Sequence, residues 1–386
     1  MKSERIRPYI SANVSSHVLL QHLSASHLTI FQSHEDDGTS SSIITFPEYS
    51  DLFCALIGVG DHLLVMSCLV LLLGFVGYIS TMEKRGSIIA CIITSYCLSS
   101  IVGGYRSVRL YRQMTFGKHE KTTTNGLTAG MNGCLVCTVT IVPIPAAGVF
   151  IGVNLVGIAY GSTIAVPITV IFILLVLYLL VAVPLTLIGG TLAKTYACAD
   201  FGIPTACASP SNLDDGTAGT LPDNSRRNGD DQIVKWLQFK PTQLLIAGII
   251  PFSTIWIELE FILKATWGYQ TYTFWGLLAI QFILVLAVSC SITVLLLVCE
   301  IAKNGIADGS WWWSTYLNGC MTGVVVYVYS FYYYFHRSGM NGVLQTSFYF
   351  GYMAIISFAF FLMLGSAGFQ FSLQFVKYIY SRVKCD

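Results

Sequence analysis

Residues 248–267 decide the fold class of the chain, and they read Gly-Ile-Ile-Pro-Phe-Ser-Thr-Ile-Trp-Ile-Glu-Leu-Glu-Phe-Ile-Leu-Lys-Ala-Thr-Trp. Nearly all of these residues are apolar, and about 20 apolar residues are what a helix needs to cross the hydrocarbon core of a bilayer. The stretch therefore predicts a membrane-spanning helix. Pro251 fits this prediction if it lies in the first helical turn, where its missing N–H has no intrahelical partner.

Two carboxylates lie inside this apolar stretch, at Glu258 and Glu260. A charged side chain at bilayer depth is costly, and it faces other helices or a water-filled cavity instead of lipid. The two residues point to different faces of a helix, so at most one of them faces a given partner helix squarely. We expect one to be neutral or hydrogen-bonded and the other to lie near the far interface beside Lys264. A proton or cation site is the alternative.

The composition extends the membrane prediction to the whole chain. Of the 386 residues, 54% are hydrophobic and only 11% are charged, whereas soluble domains carry about 25% charged residues. The net charge of +1 provides no basic field that would favour a nucleic-acid partner. We therefore predict an all-α integral membrane protein, a helix bundle whose immediate partner is the lipid bilayer.

About eight apolar runs are long enough to be membrane-spanning helices, at 56–79, 87–104, 127–149, 164–188, 248–267, 274–298, 317–335 and 348–376. The chain then divides into a polar tail, 1–50, an eight-span membrane domain, 51–376, and a short tail, 377–386. The tail 1–50 contains no apolar core of signal-peptide length, so we expect the first span to direct insertion unless an upstream part of the protein does so.

Two segments are expected to depart from continuous helix. The stretch 191–243 is rich in Pro, Gly, Ser, Asn and Asp, which predicts a disordered loop. Pro143 and Pro145 lie near the end of the third apolar run, and proline inside a helix kinks or breaks it.

The distribution of basic residues predicts the orientation of the bundle. An even number of spans places both termini on the same side of the membrane. If that side is the cytosol, all but four of the 21 Lys and Arg residues are cytosolic, the exceptions being Lys84, Arg85, Lys264 and Arg337. Cytosolic loops carry an excess of Lys and Arg, so we expect both termini in the cytosol.

No constellation of residues predicts catalysis or metal binding. Cys134 and Cys137 form a C-x-x-C sequence inside an apolar run, without a second cysteine pair or a histidine partner. Cysteines in such runs are typically small packing residues. We therefore predict no enzyme activity, no metal and no cofactor.

Pairs of glycines four residues apart indicate places where helices approach closely. Gly126 with Gly130 and Gly148 with Gly152 have this spacing. Small residues at such positions allow the backbones of two membrane helices to come into contact. These four glycines are our candidates for helix-packing positions.

Several motifs, in order, resemble those of the nonaspanins, the transmembrane nine superfamily. Residues 248–252, followed by Ile257-Glu258-Leu259 and Trp267, are similar to the Gly-x-Leu-Pro-Phe…Ile-Glu-Leu…Trp signature of that family. Residues 104–111 resemble its Gly-Tyr-x-Ser-x-Arg-Leu-Tyr motif, and residues 183–185, 311–313 and 349–352 match further elements. The resemblance covers 47–386, which corresponds to the C-terminal multispanning portion of the family without its lumenal N-terminal domain and first span.

The resemblance implies a function in membrane traffic. It predicts a multi-pass protein of the Golgi and endosomes that sorts or stabilises other membrane proteins, and cargo helices rich in glycine suit such a role. Lys384 and Asp386 resemble the family's Lys-x-Asp signal for the COPI coat. The alternative function is a secondary transporter or channel that uses Glu258, Glu260 and Asp61 within a bundle of broken helices.

Overall fold

A computed structural model describes residues 47, 49–75, 85–116, 124–162, 165–195, 240–267, 275–304, 309–337 and 342–382 of the chain. Every regular element in these residues is helical. The elements are α1 (Ser50–Phe75), α2 (Arg85–Phe116), α3 (Thr124–Thr140), α4 (Pro143–Ala159), α5 (Ile168–Leu177), a π-helical turn (Tyr178–Ala182), α6 (Val183–Thr195), α7 (Lys240–Trp267), α8 (Trp275–Asn304), α9 (Trp311–His336) and α10 (Val343–Arg382).

Helices α1 and α10 form the centre of the bundle. They pack against each other, and α1 also contacts α2, α3 and α8, while α10 also contacts α4, α8 and α9. Helices α2, α3 and α6 pack together on one side of this pair, and α7, α8 and α9 pack together on the other. Large side chains fill the space between α1, α9 and α10, where Phe53, Trp312 and Phe369 are each fully buried.

The membrane prediction agrees with the lengths and composition of the helices. Six helical segments of the described chain are long and apolar enough to cross a membrane: α1, α3 with α4, α5 with α6, α7, α8 and α10. Helices α2 and α9, with 32 and 26 residues, are not among the six. The all-α membrane class is therefore confirmed, whereas the total of eight spans and the cytosolic orientation of the termini stay predictions.

The third predicted span is broken at the expected place. Helix α3 ends at Thr140, and α4 begins at Pro143 after a short turn. Pro143 lies in the first turn of α4, where proline is well tolerated because that turn has no N–H bond to lose.

Three predicted boundaries differ from the structure. We expected Pro251 in the first turn of its helix. Helix α7 begins at Lys240, however, so Pro251 lies inside the helix. Helical residues also extend into both ends of the predicted 191–243 loop, of which 196–239 lie outside the described residues. Helix α10 continues past the predicted end at 376 to Arg382. The predicted bounds followed apolar runs, and the residues at these helix ends are polar. The helices therefore extend further than predicted.

Candidate functional site

The most elaborate polar cluster inside the bundle centres on Asp61 of α1, which is only 6% exposed. The Ser366 hydroxyl of α10 donates a hydrogen bond to Asp61 Oδ1 at 2.8 Å, and the Gln370 side-chain amide donates to the same oxygen. The Arg106 Nε of α2 lies 3.2 Å from Asp61 Oδ2 in an ion pair. One carboxylate therefore joins two consecutive helices, α1 and α2, to α10 near the other end of the chain.

Two glycines of α1 bring these helices within reach of Asp61. A Cβ at Gly60 would overlap the carbonyl oxygen of Leu362 and the side chain of Ser366 on α10. A Cβ at Gly58 would lie 2.6 Å from the Cβ of Ser107 on α2, which is closer than real contacts allow. The sequence Gly58-Val59-Gly60-Asp61 thus lets α2 and α10 approach α1 on both sides of the carboxylate.

A cavity of about 170 Å³ adjoins the Asp61 cluster between the same three helices. Its polar lining comes from one face of each helix: Asp61 from α1, Arg106, Arg109 and Gln113 from α2, and Gln370, Gln374 and Lys377 from α10. The Arg106 side chain is 46% exposed, although its ion-pair partner is buried. The cavity therefore connects a buried carboxylate to the surface of the bundle.

The predicted acidic candidates on α7 lie in a separate cluster. Glu260 Oε1 is 3.0 Å from Lys264 Nζ, one turn further along α7, and 3.6 Å from Arg337 Nη2 just after α9. This confirms the expectation that one of the two glutamates lies beside Lys264. Glu258 is half-buried on a different face of the helix. The structure therefore gives Glu260 two basic partners, which accounts for its charge without a transported ion.

The four candidate glycines lie in two different environments. Gly130 packs against the Tyr111 ring of α2, where an added Cβ would overlap the hydroxyl. Gly126 lies in α3, but its surroundings are outside the described residues. At Gly148 and Gly152 of α4, an added Cβ would meet no described atom within 4 Å.

Gly148 and Gly152 form the middle of an exposed face of α4, which we call the α4 glycine face. Large apolar side chains border it, with Ile144, Ile151 and Leu155 exposed by 66%, 50% and 61%. Positions 144, 148, 151 and 155 follow one another at intervals of four, three and four residues, which places them on the same side of the helix. The opposite side of α4 packs against α10, so the α4 glycine face points outward.

A buried asparagine fixes the end of α4. The Asn154 side-chain amide donates to the Val166 carbonyl at 3.1 Å, and the Val166 N–H donates to Asn154 Oδ1 at 2.7 Å. These paired bonds tie the segment before α5 to α4 and satisfy a polar group that is only 7% exposed. The α4 glycine face is therefore carried by a helix whose C-terminal half is tied to the segment before α5.

The remaining predicted residues form no site in the described part of the chain. Lys384 and Asp386 lie outside the described residues. Cys134 is buried and Cys137 half-buried, and both are free thiols. Across the described ranges, no group of three or more His, Cys, Asp or Glu residues is arranged to hold a metal ion.

Sequence reasoning missed the partners of Asp61. It identified Asp61 as a possible transport residue but did not connect it with Arg106, Ser366 or Gln370. The available signal was the Gly-x-Gly-Asp sequence at 58–61, because two small residues beside a charge in an apolar run indicate close helix contacts at a polar position.

The comparisons with known proteins identify the family. The family model described as Endomembrane protein 70 matches residues 26–343. Transmembrane 9 superfamily member 2 of Arabidopsis thaliana is 34% identical over 344 residues, which is 89% of this chain and 52% of that protein. Transmembrane 9 superfamily member 1 of Bos taurus is 32% identical over 346 residues, 90% of this chain and 52% of that protein.

The matches cover most of this chain but only part of the relatives. The chain spans about half the length of the curated relatives that it matches. No solved structure matches it. Since the family model covers more than half of the chain, the chain belongs to the Endomembrane protein 70 family, whose matching relatives are transmembrane 9 superfamily proteins.

Proposed function

We propose that this multi-pass membrane protein sorts or stabilises other membrane proteins by binding their glycine-rich transmembrane helices at the α4 glycine face. The observation that carries this proposal is the open space at Gly148 and Gly152, on a helix whose other side is packed against α10. The proposal assigns the chain a binding activity and no chemical reaction.

The physical basis is the way helices associate in lipid. Lipid tails are as apolar as leucine side chains, so helices gain little from hydrophobic contact alone and associate through close packing. Two glycines four residues apart leave a shallow groove, and the bordering Ile144, Ile151 and Leu155 can contact both flanks of a helix placed in it. A cargo helix with its own glycines approaches closely, whereas a helix covered with leucine side chains is held away.

A reporter-binding assay in membranes tests this function. A single-span reporter with a glycine-rich helix is expressed with wild-type protein or with a variant that combines Gly148→Leu and Gly152→Leu. We expect the variant to retain at least about fivefold less reporter in detergent-free membrane pull-downs, since two leucine side chains overpack the contact at a cost of about 1–3 kcal/mol. Ser291→Leu, which fills an exposed position on α8, is the matched control and should leave reporter binding unchanged. Equal binding by the double variant would contradict the proposal.

We further propose that the protein acts in the Golgi and endosomes, and that Lys384 and Asp386 bind the COPI coat. An ammonium group followed two residues later by the carboxylate of Asp386 is a pattern that an adaptor with adjacent acidic and basic pockets can bind. The alternative is that Lys377, Arg382 and Lys384 only contact an anionic leaflet.

A charge-neutral extension separates these alternatives. Adding two alanines after Asp386 moves the terminal carboxylate away from Lys384 but removes no basic residue. If the coat binds this signal, the extended protein should leave the Golgi for later endosomal compartments. If the extended protein and Lys384→Ser both keep the original location, the coat signal is refuted.

A further inference from the structure

The cavity beside Asp61 continues as a polar groove between α2 and α10. On α2 the lining residues Arg106, Arg109 and Gln113 follow a spacing of three and four, which places them on one face of the helix. On α10, Gln370, Gln374 and Lys377 follow a spacing of four and three. The two polar faces therefore line the same cavity, each along about two helical turns.

The groove leads from the interior of the bundle towards the ends of two helices. Arg109 is seven residues before the end of α2 at Phe116, which is about 10 Å at 1.5 Å per residue. Lys377 lies close to the end of α10 at Arg382. Both basic residues are thus near the depth at which lipid head groups meet the helix ends of a membrane protein.

The lining is rich in positive charge and in hydrogen-bond donors. It contains three basic side chains and one carboxylate, Asp61. That carboxylate already has Arg106 and two neutral donors as partners. The exposed Arg109 guanidinium lies 5.8 Å from the centre of the Tyr105 ring and donates to the Tyr105 hydroxyl at 3.3 Å. These contacts orient a cation at the side of the groove.

We propose that this groove binds a phosphate monoester, carried either by an anionic lipid head group or by a soluble inositol phosphate. Arg and Lys are the side chains that bind phosphate oxygens most strongly, and Gln amides supply further donors. The cavity of about 170 Å³ is far larger than the space one water molecule needs. Basic pockets between membrane helices near the head-group layer are typical sites for phosphorylated lipids.

The lining also favours a lipid source for the phosphate. Apolar side chains of Ile57, Phe369 and Leu373 border the same cavity. They form the apolar inner wall of the cavity, beside which the glycerol carbons of a lipid would lie, a part that a soluble inositol phosphate lacks. A bound lipid would connect α2 to α10 at a point distant from the α4 glycine face, so this site is independent of the proposed cargo binding.

The test compares lipid and soluble probes on the full-length chain. The protein is reconstituted in nanodiscs of phosphatidylcholine with either phosphatidylinositol or phosphatidylinositol 4-phosphate, and bound lipid is counted by native mass spectrometry. A parallel titration uses soluble inositol 1,4-bisphosphate. The variants are Arg109→Gln and Lys377→Gln, with Arg109→Lys as the charge-conserving variant. Arg337→Gln, which removes an exposed cation beyond the end of α9, is the matched control.

We expect wild-type protein to bind phosphatidylinositol 4-phosphate in preference to phosphatidylinositol. Arg109→Gln and Lys377→Gln should each weaken that binding by about fivefold, whereas Arg109→Lys and Arg337→Gln should bind as wild type does. If the same variants weaken binding of the soluble probe by the same factor, the site is supported and it binds the phosphate monoester from either source. If both lipids bind equally, or Arg337→Gln weakens binding as much as Arg109→Gln, the proposal is overturned.

Discussion

Replacing Asp61 tests whether one carboxylate holds α1, α2 and α10 together. Asp61→Leu removes the acceptor of two hydrogen bonds and the partner of Arg106. Leaving the buried Ser366 hydroxyl and the Gln370 amide without an acceptor costs about 1–3 kcal/mol. The loss of the ion pair adds at most about 1 kcal/mol, because Arg106 is 46% exposed and water compensates much of its charge. The expected loss is therefore about 1–4 kcal/mol.

Asp61→Asn should cost less, because it keeps the shape of the side chain and one carbonyl acceptor. We expect a loss of about 1 kcal/mol, which comes mainly from the weaker acceptor and the missing charge. A double-mutant cycle of Asp61→Asn with Arg106→Gln isolates the ion pair, and its coupling energy should be about 0.2–1 kcal/mol.

The assay is the free energy of unfolding of the full chain in bicelles, measured by steric trapping. Ser291→Leu, at an exposed position of α8, is the control and should stay within about 0.5 kcal/mol of wild type. If Asp61→Leu proves as stable as wild type, the carboxylate does not join the three helices and the reasoning from its contacts is wrong.

Three further predictions concern other parts of the chain. Gly60→Ala should destabilise the protein by about 1–3 kcal/mol because its Cβ would overlap α10. Gly148→Ala should instead stabilise it by up to about 1 kcal/mol, because its Cβ meets no described atom and alanine favours helix. A lower unfolding temperature for Gly60→Ala and an unchanged or higher one for Gly148→Ala are the expected results. Glu258→Gln should fold as wild type does. Glu258→Leu should lower the free energy of unfolding by about 1–3 kcal/mol if the carboxyl has a buried partner. A leucine variant with the expression level and thermal stability of wild type would show that it has none. Asn13 lies in the sequon Asn-Val-Ser and should stay unglycosylated in microsomes if the tail is cytosolic; a glycan there would reverse the predicted orientation.

The local features of the fold could be predicted from the sequence. Pro143 and Pro145 predicted the break between α3 and α4. Proline has no backbone N–H to donate, so it is best tolerated at the start of a new helix. Helical periodicity separated Glu258 from Glu260, and the prediction that one of the two lies beside Lys264 is met by Glu260, one turn away. Each of these predictions depends on neighbours within about four residues.

Contacts between distant segments could not be predicted in this way. Trp311 and Trp312 lie next to each other at the start of α9, and both are buried. They stack on each other at 4.2 Å, and Trp312 lies against Phe53 of α1 and Phe369 of α10. Because those partners are more than 50 residues away, periodicity carries no information about them. The same holds for Asp61 and its partners on α2 and α10.

The most direct test of the proposed function asks which surface of the protein contacts a cargo helix in the membrane. A photo-crosslinking amino acid is placed at Ile151, between Gly148 and Gly152, or at Ile283 on α8, which is also exposed. The reporter carries either a glycine-rich transmembrane helix or the same helix with leucine at the glycine positions. The account predicts adducts from position 151 with the glycine-rich helix alone. Equal adducts from position 283, or equal adducts with the leucine helix, would contradict it.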